Sequence, residues 1–417
     1  IVDEEHDAGY KQREPAPRYN ARDAAIYLAT LHKSKVLLGS ATPSLETYFN
    51  TQIEKYGYVS LNERYLNTSM PRIEIANMKE DYINKRNYSI FSSLLYDRII
   101  QTLNNHKQVI IFKNQRGYAS NIRCEVCGWV AKCPNCDVSL TYHKQWNSLN
   151  CHYCGLNLPL YSECPECHSH SLVQSGNGSE KIEEEILRFF PNARVKRMDL
   201  DTTRKKNDYL EIIQDFEKGN IDILCGTQII TKGLDFSNVG LVGVIDADSL
   251  LYYPDFRAYE RCFDLLTQVA GRAGRLKEKG AVVIQSFNPN HQIFKEVLNY
   301  DYASMYKNQI VERKLFSYPP FVYLTKILFQ AKDKDVLDSL CQEYSNEIRK
   351  IFAQRILGPE YPPIYRVKGM YQKQFILKLE KTISYTQAKK LIMQLNEEIL
   401  SKKEYKQVRV IVDVDTY

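Results

Sequence analysis

No Gly-Lys dipeptide occurs anywhere in the 417 residues, so the phosphate-cradling loop Gly-x-x-x-x-Gly-Lys-[Ser/Thr] is absent. No uninterrupted apolar run approaches the ~20 residues of a membrane span. That argues against a helical span in this stretch. The opening Ile1-Val2-Asp3-Glu4 does not read as a signal peptide, and the expected compartment is the cytoplasm, where thiols stay reduced. Excess charge is also scarce, at a net +6. Residues 300–417 hold 20 Lys/Arg against 14 Asp/Glu, a surplus equal to that of the whole chain. Such a tilt permits nucleic-acid contact, although a solvated lysine face would look the same. With 44% hydrophobic and 25% charged residues, the composition is that of a soluble globular protein of two to four domains.

Cysteine is abundant. Eight of the 11 cysteines form four Cys-x-x-Cys pairs: Cys124/Cys127, Cys133/Cys136, Cys151/Cys154 and Cys164/Cys167. Each pair brings two thiolates to one ion, and four thiolates fill the tetrahedral shell of structural zinc. The regular spacing argues against a disulfide framework. Fourteen residues separate the second and third pairs, close to the zinc-ribbon interval, whereas only five separate the first two. The expected sites are therefore nested, with Cys133, Cys136, Cys151 and Cys154 inside Cys124, Cys127, Cys164 and Cys167. His143, His152, His168 and His170 are weaker alternative ligands.

Along the chain, Ile1-Val2 reads as the end of a strand running into Asp3-Glu4-Glu5-His6. At the carboxyl end of an α/β strand, one acid can hold Mg²⁺ and the next can orient a water. A solvated turn has the same composition. Val36 to Leu38 is a short strand entering the small-residue turn Gly39 to Ser44. Between them lies an aromatic and basic loop with Tyr10, Lys11, Arg13, Arg18, Tyr19 and Arg22, in which rings can stack on bases and cations can meet phosphate. Residues 50–90 read as a connector. Next come a helix over 92–105 and a strand over 108–113, and Gln115-Arg116-Gly117-Tyr118 follows. Beyond the cysteines, strands at 193–198, 221–225, 241–245 and 281–286 alternate with helices at 180 onward, 208–218 and 259–270. That alternation predicts a mostly parallel sheet covered on both faces.

Two segments of this domain carry chemical signals. Gly226 to Phe236, with Thr227, Lys232, Gly233 and Asp235, can couple to nucleotide. Gln268-Val269-Ala270-Gly271-Arg272-Ala273-Gly274-Arg275 sets two guanidinium groups three residues apart, suited to charge on a transferring phosphoryl group. After Pro319-Pro320 the order βαββαβ predicts a separate small α+β domain with no catalytic constellation.

Together these motifs resemble the PriA family of bacterial primosomal replication-restart proteins, superfamily 2 DNA helicases. The resemblance covers nearly the whole chain, including Asp3-Glu4-Glu5-His6, Tyr10-Lys11-Gln12, the Arg18 to Asp23 run, Gly39 to Ser44, the eight cysteines and the closing Asp413-Val414-Asp415. It implies RecA-like helicase lobes with an inserted two-zinc module and a small α+β C-terminal domain. The first-lobe remnant would span residues 1–80, the second lobe 81–121 and 171–315, the zinc insertion 122–170 and the last domain 316–417. It implies 3′-to-5′ translocation on DNA with ATP and Mg²⁺, binding of stalled or repaired forks, and partnership with primosome proteins and single-stranded-DNA-binding protein, as a monomer. Asp3 would serve Mg²⁺ and Glu4 the hydrolytic water. Gly233, Asp235 and Gln268 would contact nucleotide, with Arg272 and Arg275 as arginine fingers. Tyr10, Lys11, Arg18, Tyr19, Arg22, Ser40, Thr42, Arg116, Thr227 and Lys232 would bind DNA or couple it to hydrolysis.

Two departures bear on this. Gln115 stands where the family commonly has Arg. The missing phosphate loop predicts that this chain is the carboxyl-terminal part of a longer protein and hydrolyses no ATP alone. The rival readings are a non-catalytic zinc module binding DNA or protein, and a superfamily 2 helicase acting on RNA.

Overall fold

The computed structural model describes residues 1–61, 70–113, 121–144, 146–174, 180–198, 206–227, 236, 238–271 and 280–415. Short apolar runs rich in Val and Ile make the central sheet. Its six strands lie in the order Arg72–Asn77, Ala281–Ser286, Val239–Ile245, Gln108–Lys113, Ile223–Gly226 and Val195–Met198. Every pairing is parallel. Successive side chains of a strand leave on opposite faces, and here both faces are covered, as a parallel sheet requires. Ile110, Phe112, Val242 and Val244 enter one core with Phe263 and Leu266 of the helix Ala258–Ala270. Val109, Ile111, Leu241 and Ile245 enter the other with Leu95 and Ile99 of the helix Ser93–Asn104.

One element differs from expectation. Arg72–Asn77, assigned above to the connector, is an edge strand in register with Ala281–Ser286. The six-stranded sheet thus takes in residues 72–77, inside the stretch expected as a connector. Ahead of the sheet, Val2 and Leu38 form a parallel bridge and Ser44 caps the helix Leu45–Gln52. Leu45 reaches into the core on one face of the six-stranded sheet.

The cysteine-rich segment follows the strand Gln108–Lys113 and precedes the helix Glu180–Phe189. It contains a three-stranded sheet (Thr141–His143, Ser148–Asn150, Asn157–Pro159) and a pair formed by Ile122–Cys124 and Leu172–Gln174. The C-terminal domain is an antiparallel sheet ordered Ile356–Glu360, Met370–Glu380, Val322–Ala331, Arg409–Val414. The helices Lys334–Phe352 and Tyr385–Leu400 pack together with Ile327, Phe329 and Phe375 of that sheet. A fifth, two-residue strand, Arg366–Val367, pairs with Met370–Glu380, so the order is the expected βαββαβ with one short strand added. Among the described residues no helix is long and apolar enough to cross a membrane.

Candidate functional site

The four cysteine turns share one construction. In each, the residue after the second cysteine adopts positive φ: Gly128 at 79°, Asp137 at 52°, Gly155 at 82° and His168 at 57°. Its N–H donates back to the carbonyl of the first cysteine, at 2.9, 2.8, 3.0 and 2.9 Å respectively. Such a turn aims both thiols of a pair at one point. The sulfurs then gather as Cys124, Cys127, Cys164 and Cys167, and as Cys133, Cys136, Cys151 and Cys154, each set within 4.8 Å. The nesting expected from the spacing is the nesting found.

Sulfur separations of 3.6 Å (Cys124 to Cys167), 3.5 Å (Cys127 to Cys164) and 3.6 Å (Cys133 to Cys154) are far too long for disulfides. They are close to the ~3.8 Å edge of a tetrahedron with Zn–S of about 2.3 Å. Both groups are structural zinc sites, closed by four sulfurs. The histidines stand outside them. His143 and His152 meet through their Nε2 atoms at 3.3 Å, and His152 Nδ1 donates to the Tyr361 carbonyl at 2.6 Å. Burial pushes the pKa of His152 down to about 4, which keeps the ring neutral. Gln374 donates to the His152 carbonyl at 3.0 Å, and the Tyr318 hydroxyl to that of Cys136 at 2.7 Å. The inner site is thereby fastened to the C-terminal domain.

At the other site, Asp3 and Glu4 stand exposed just beyond the Val2 bridge. Glu4 has φ 48°, and its N–H donates to Asp3 Oδ1 at 3.0 Å. Glu5 is buried and accepts from Ser44 N–H (2.6 Å), the Thr47 hydroxyl (2.9 Å) and Arg22 (2.9 Å). His6 does what its place in the sequence did not reveal. Its Nδ1 meets Ser40 Oγ at 2.7 Å, and its Nε2 meets the Gln268 amide nitrogen at 2.7 Å. Because that NH₂ can only donate, Nε2 accepts and Nδ1–H donates. Ser40 Oγ also receives the Thr42 N–H at 3.0 Å. One imidazole therefore joins the acidic motif, the Ser40-Ala41-Thr42 turn and the helix Ala258–Ala270.

Two residues expected at DNA are placed elsewhere. Lys11 is buried at 6% exposure and ion-paired with Asp413 at 2.9 Å. Arg22 is buried at 7% exposure between Glu5 and Asp23. Neither offers its charge to a phosphate; both hold the loop. Tyr19 is 48% exposed and Arg18 partly so, while the Tyr10 hydroxyl donates to the Asp3 carbonyl at 2.6 Å. Thr227 lies at the end of the strand Ile223–Gly226. Arg116, Lys232, Gly233, Asp235, Arg272 and Arg275 lie outside the described residues.

Beneath this site runs a buried charge network that the sequence did not disclose. Arg313 pairs with Glu260 at 2.5 Å and Glu46 at 3.0 Å, and Arg257 with Glu46 at 2.7 Å. Glu260 also accepts the Leu45 N–H at 2.8 Å. Burial alone would raise the Glu46 pKa, but Arg257 and Arg313 overcome it and hold the carboxyl at about 2.

A parallel sheet joined through helicase motifs to an acidic site, and interrupted by two four-cysteine zinc sites, defines a zinc-bearing helicase lobe. Three family models match: the PriA DNA helicase Cys-rich region (CRR) domain over residues 133–159, the helicase conserved C-terminal domain over 169–277, and the primosomal protein N C-terminal domain over 314–417. The replication restart protein PriA of Bacillus subtilis is 39% identical over 419 residues, covering 100% of this chain and 51% of its own length. That of Chlamydia trachomatis is 39% identical over 420 residues, covering 100% and 55%. The chain belongs to the PriA family of replication restart proteins, and it spans about half the length of these relatives. Among solved structures, S. cerevisiae Dbp5 bound to RNA and ADP BeF3 is similar at 13% identity, 75% coverage of this chain, 62% of that chain and a TM-score of 0.35. That likeness is too low to add to the fold read directly from the sheet.

Proposed function

We propose that this chain supplies the second motor lobe, zinc module and C-terminal domain of an ATP-dependent 3′-to-5′ DNA helicase that recognises stalled or repaired forks and directs primosome assembly. The observation that carries this reading is the Ser40–His6–Gln268 chain, in which contacts of 2.7 Å on either side of one ring connect the two lobes at the acidic motif. In this reading Asp3 holds Mg²⁺ and Glu4 orients the attacking water. Gln268, Gly233, Asp235, Arg272 and Arg275 surround the nucleotide, and Ser40 and Thr42 pass its state toward DNA. Tyr10, Arg18 and Tyr19 belong to the single-strand sensor, with Arg116, Thr227 and Lys232 as further contacts. The zinc module supports strand separation and contacts with primosome proteins and single-stranded-DNA-binding protein. The protein acts as a monomer.

Lacking the phosphate loop, residues 1–417 alone should hydrolyse no ATP. In the longer protein this reading requires, Arg272→Ala or Arg275→Ala should lower ATP turnover by ~10³-fold or more while fork binding persists. Steady-state ATPase and fork-binding titrations measure both. Appreciable turnover by residues 1–417, or unchanged turnover in the arginine variants, would remove the assignment.

A further inference from the structure

Neighbouring residues of the sensor loop reach in different directions. Tyr10 donates its hydroxyl to the Asp3 carbonyl at 2.6 Å. Lys11 instead reaches the C-terminal domain. Its ammonium lies 2.9 Å from the Asp413 carboxylate and donates to the carbonyls of Val414 at 2.6 Å and Arg18 at 3.0 Å. Two of its N–H groups find carbonyl acceptors, and the Asp413 carboxylate faces the same ammonium as its charge partner. Burying a lone charge to this depth is costly, so the site depends on its acidic partner.

The oxygens come from two places. The Arg18 carbonyl closes the loop on itself, alongside the Lys11–Asn20 bridge and the Gln12 N–H to Tyr19 carbonyl bond at 2.9 Å. The tip so closed carries Tyr19 and Arg13, both exposed. Val414 and Asp413 belong to the strand Arg409–Val414, where Asp413 lies opposite Lys326 in the antiparallel sheet. Their carbonyl and carboxylate are therefore fixed by the C-terminal domain and not by the motor.

We propose that the Lys11–Asp413 pair is a positioning latch through which the C-terminal domain holds the single-strand sensor, and that Tyr10 passes displacement of the latch to the main chain of Asp3. A strand seated on Tyr19 and Arg18 shifts the Arg18 carbonyl, which is itself a partner of Lys11. Lys11 moves, Tyr10 moves with it, and the carbonyl of the metal-facing acid follows. Asp413-Val414-Asp415 thus gains a task at Asp3, 410 residues earlier in sequence. This rests on the sensor reading of the loop.

The test uses the longer protein and Asp413→Asn, which keeps the shape and removes the charge. ATP turnover without DNA should be unchanged, while its stimulation by single-stranded DNA falls roughly fivefold or more, the lower end of ordinary coupling between sites. Hydrogen exchange over residues 12–19 should rise. A second variant, Lys11→Met with Asp413→Leu, replaces the pair by apolar groups that a core tolerates and should lose the same stimulation. Arg409→Ala, exposed on the same strand, should behave as the parent. Unchanged stimulation in a folded Asp413→Asn protein, or equal loss with and without DNA, overturns the latch. A parent enzyme indifferent to DNA would sink the sensor reading, whereas unchanged exchange over residues 12–19 in Asp413→Asn would overturn the latch alone.

Discussion

His291 caps the helix Gln292–Leu298 with its ring, Nδ1 accepting the Ile293 N–H at 3.3 Å. Burial, aided by Lys132, pushes its pKa down to about 4. A protonated Nδ1 could not accept that bond. The fold therefore holds the neutral ring. Its contribution is complete above the unfolded pKa of ~6.5 and is lost as pH falls toward 4, amounting to about 3 kcal/mol at most. His291→Asn keeps a capping acceptor without a titrating group. Thermal unfolding of this variant should depend less on pH between 6.5 and 4 than that of the parent. Parallel pH curves would exclude titration of His291 in that window. Lys11 teaches the complementary lesson about single residues. Its neighbours Tyr10, Gln12 and Arg13 give it the composition of a nucleic-acid loop, and nothing local announces a carboxylate at position 413. Spacing fixed the roles of the cysteines because their partners are local. Long-range burial decided the roles of Lys11 and Arg22.

Elements were legible to the extent that their patterns were strong. The strand Gln108–Lys113 is wholly buried and the helix Ser93–Asn104 has a clear apolar stripe, and both fell where the residues indicated. Arg72–Asn77 escaped because its sequence, Arg-Ile-Glu-Ile-Ala-Asn, mixes charge with apolar residues at a sheet edge. The zinc module was legible in ligands and pairing but not in its attachments, which run through backbone carbonyls of Cys136 and His152. Those attachments give a prediction. Metal analysis should return about two zinc per chain, and Cys133→Ser should release the inner ion. In the longer protein the same change should reduce unwinding more than DNA-dependent ATPase. A zinc content near zero with the fold retained would contradict the sites, and equal loss of both activities would make the module structural for the whole lobe.

At the scale of the whole molecule, the described residues 1–61 contain no strand, only isolated bridges such as Val2–Leu38, and what seats them on the sheet is charged. Arg313 is 2% exposed, with Glu260, Glu46 and the Pro319 carbonyl around its guanidinium. The Tyr302 hydroxyl holds the Pro43 carbonyl from the same direction, at 2.6 Å. Desolvation of these groups opposes the arrangement, so the network is not a net source of stability by its mere presence. Breaking it is another matter. Arg313→Met leaves Glu46 and Glu260 buried with one cation fewer and should cost ~3–5 kcal/mol in denaturant unfolding. Since Arg313 is among the groups that hold Glu46 near 2, its loss should also move acid unfolding. In the parent the stability contributed by ionised Glu46 is present above the unfolded carboxylate value of ~4.3 and fades as pH falls toward 2, and in Arg313→Met it should fade at higher pH. Added salt should change the cost little, because buried pairs are weakly screened. A loss under about 1 kcal/mol, erased by salt, would instead mark an exposed ion pair.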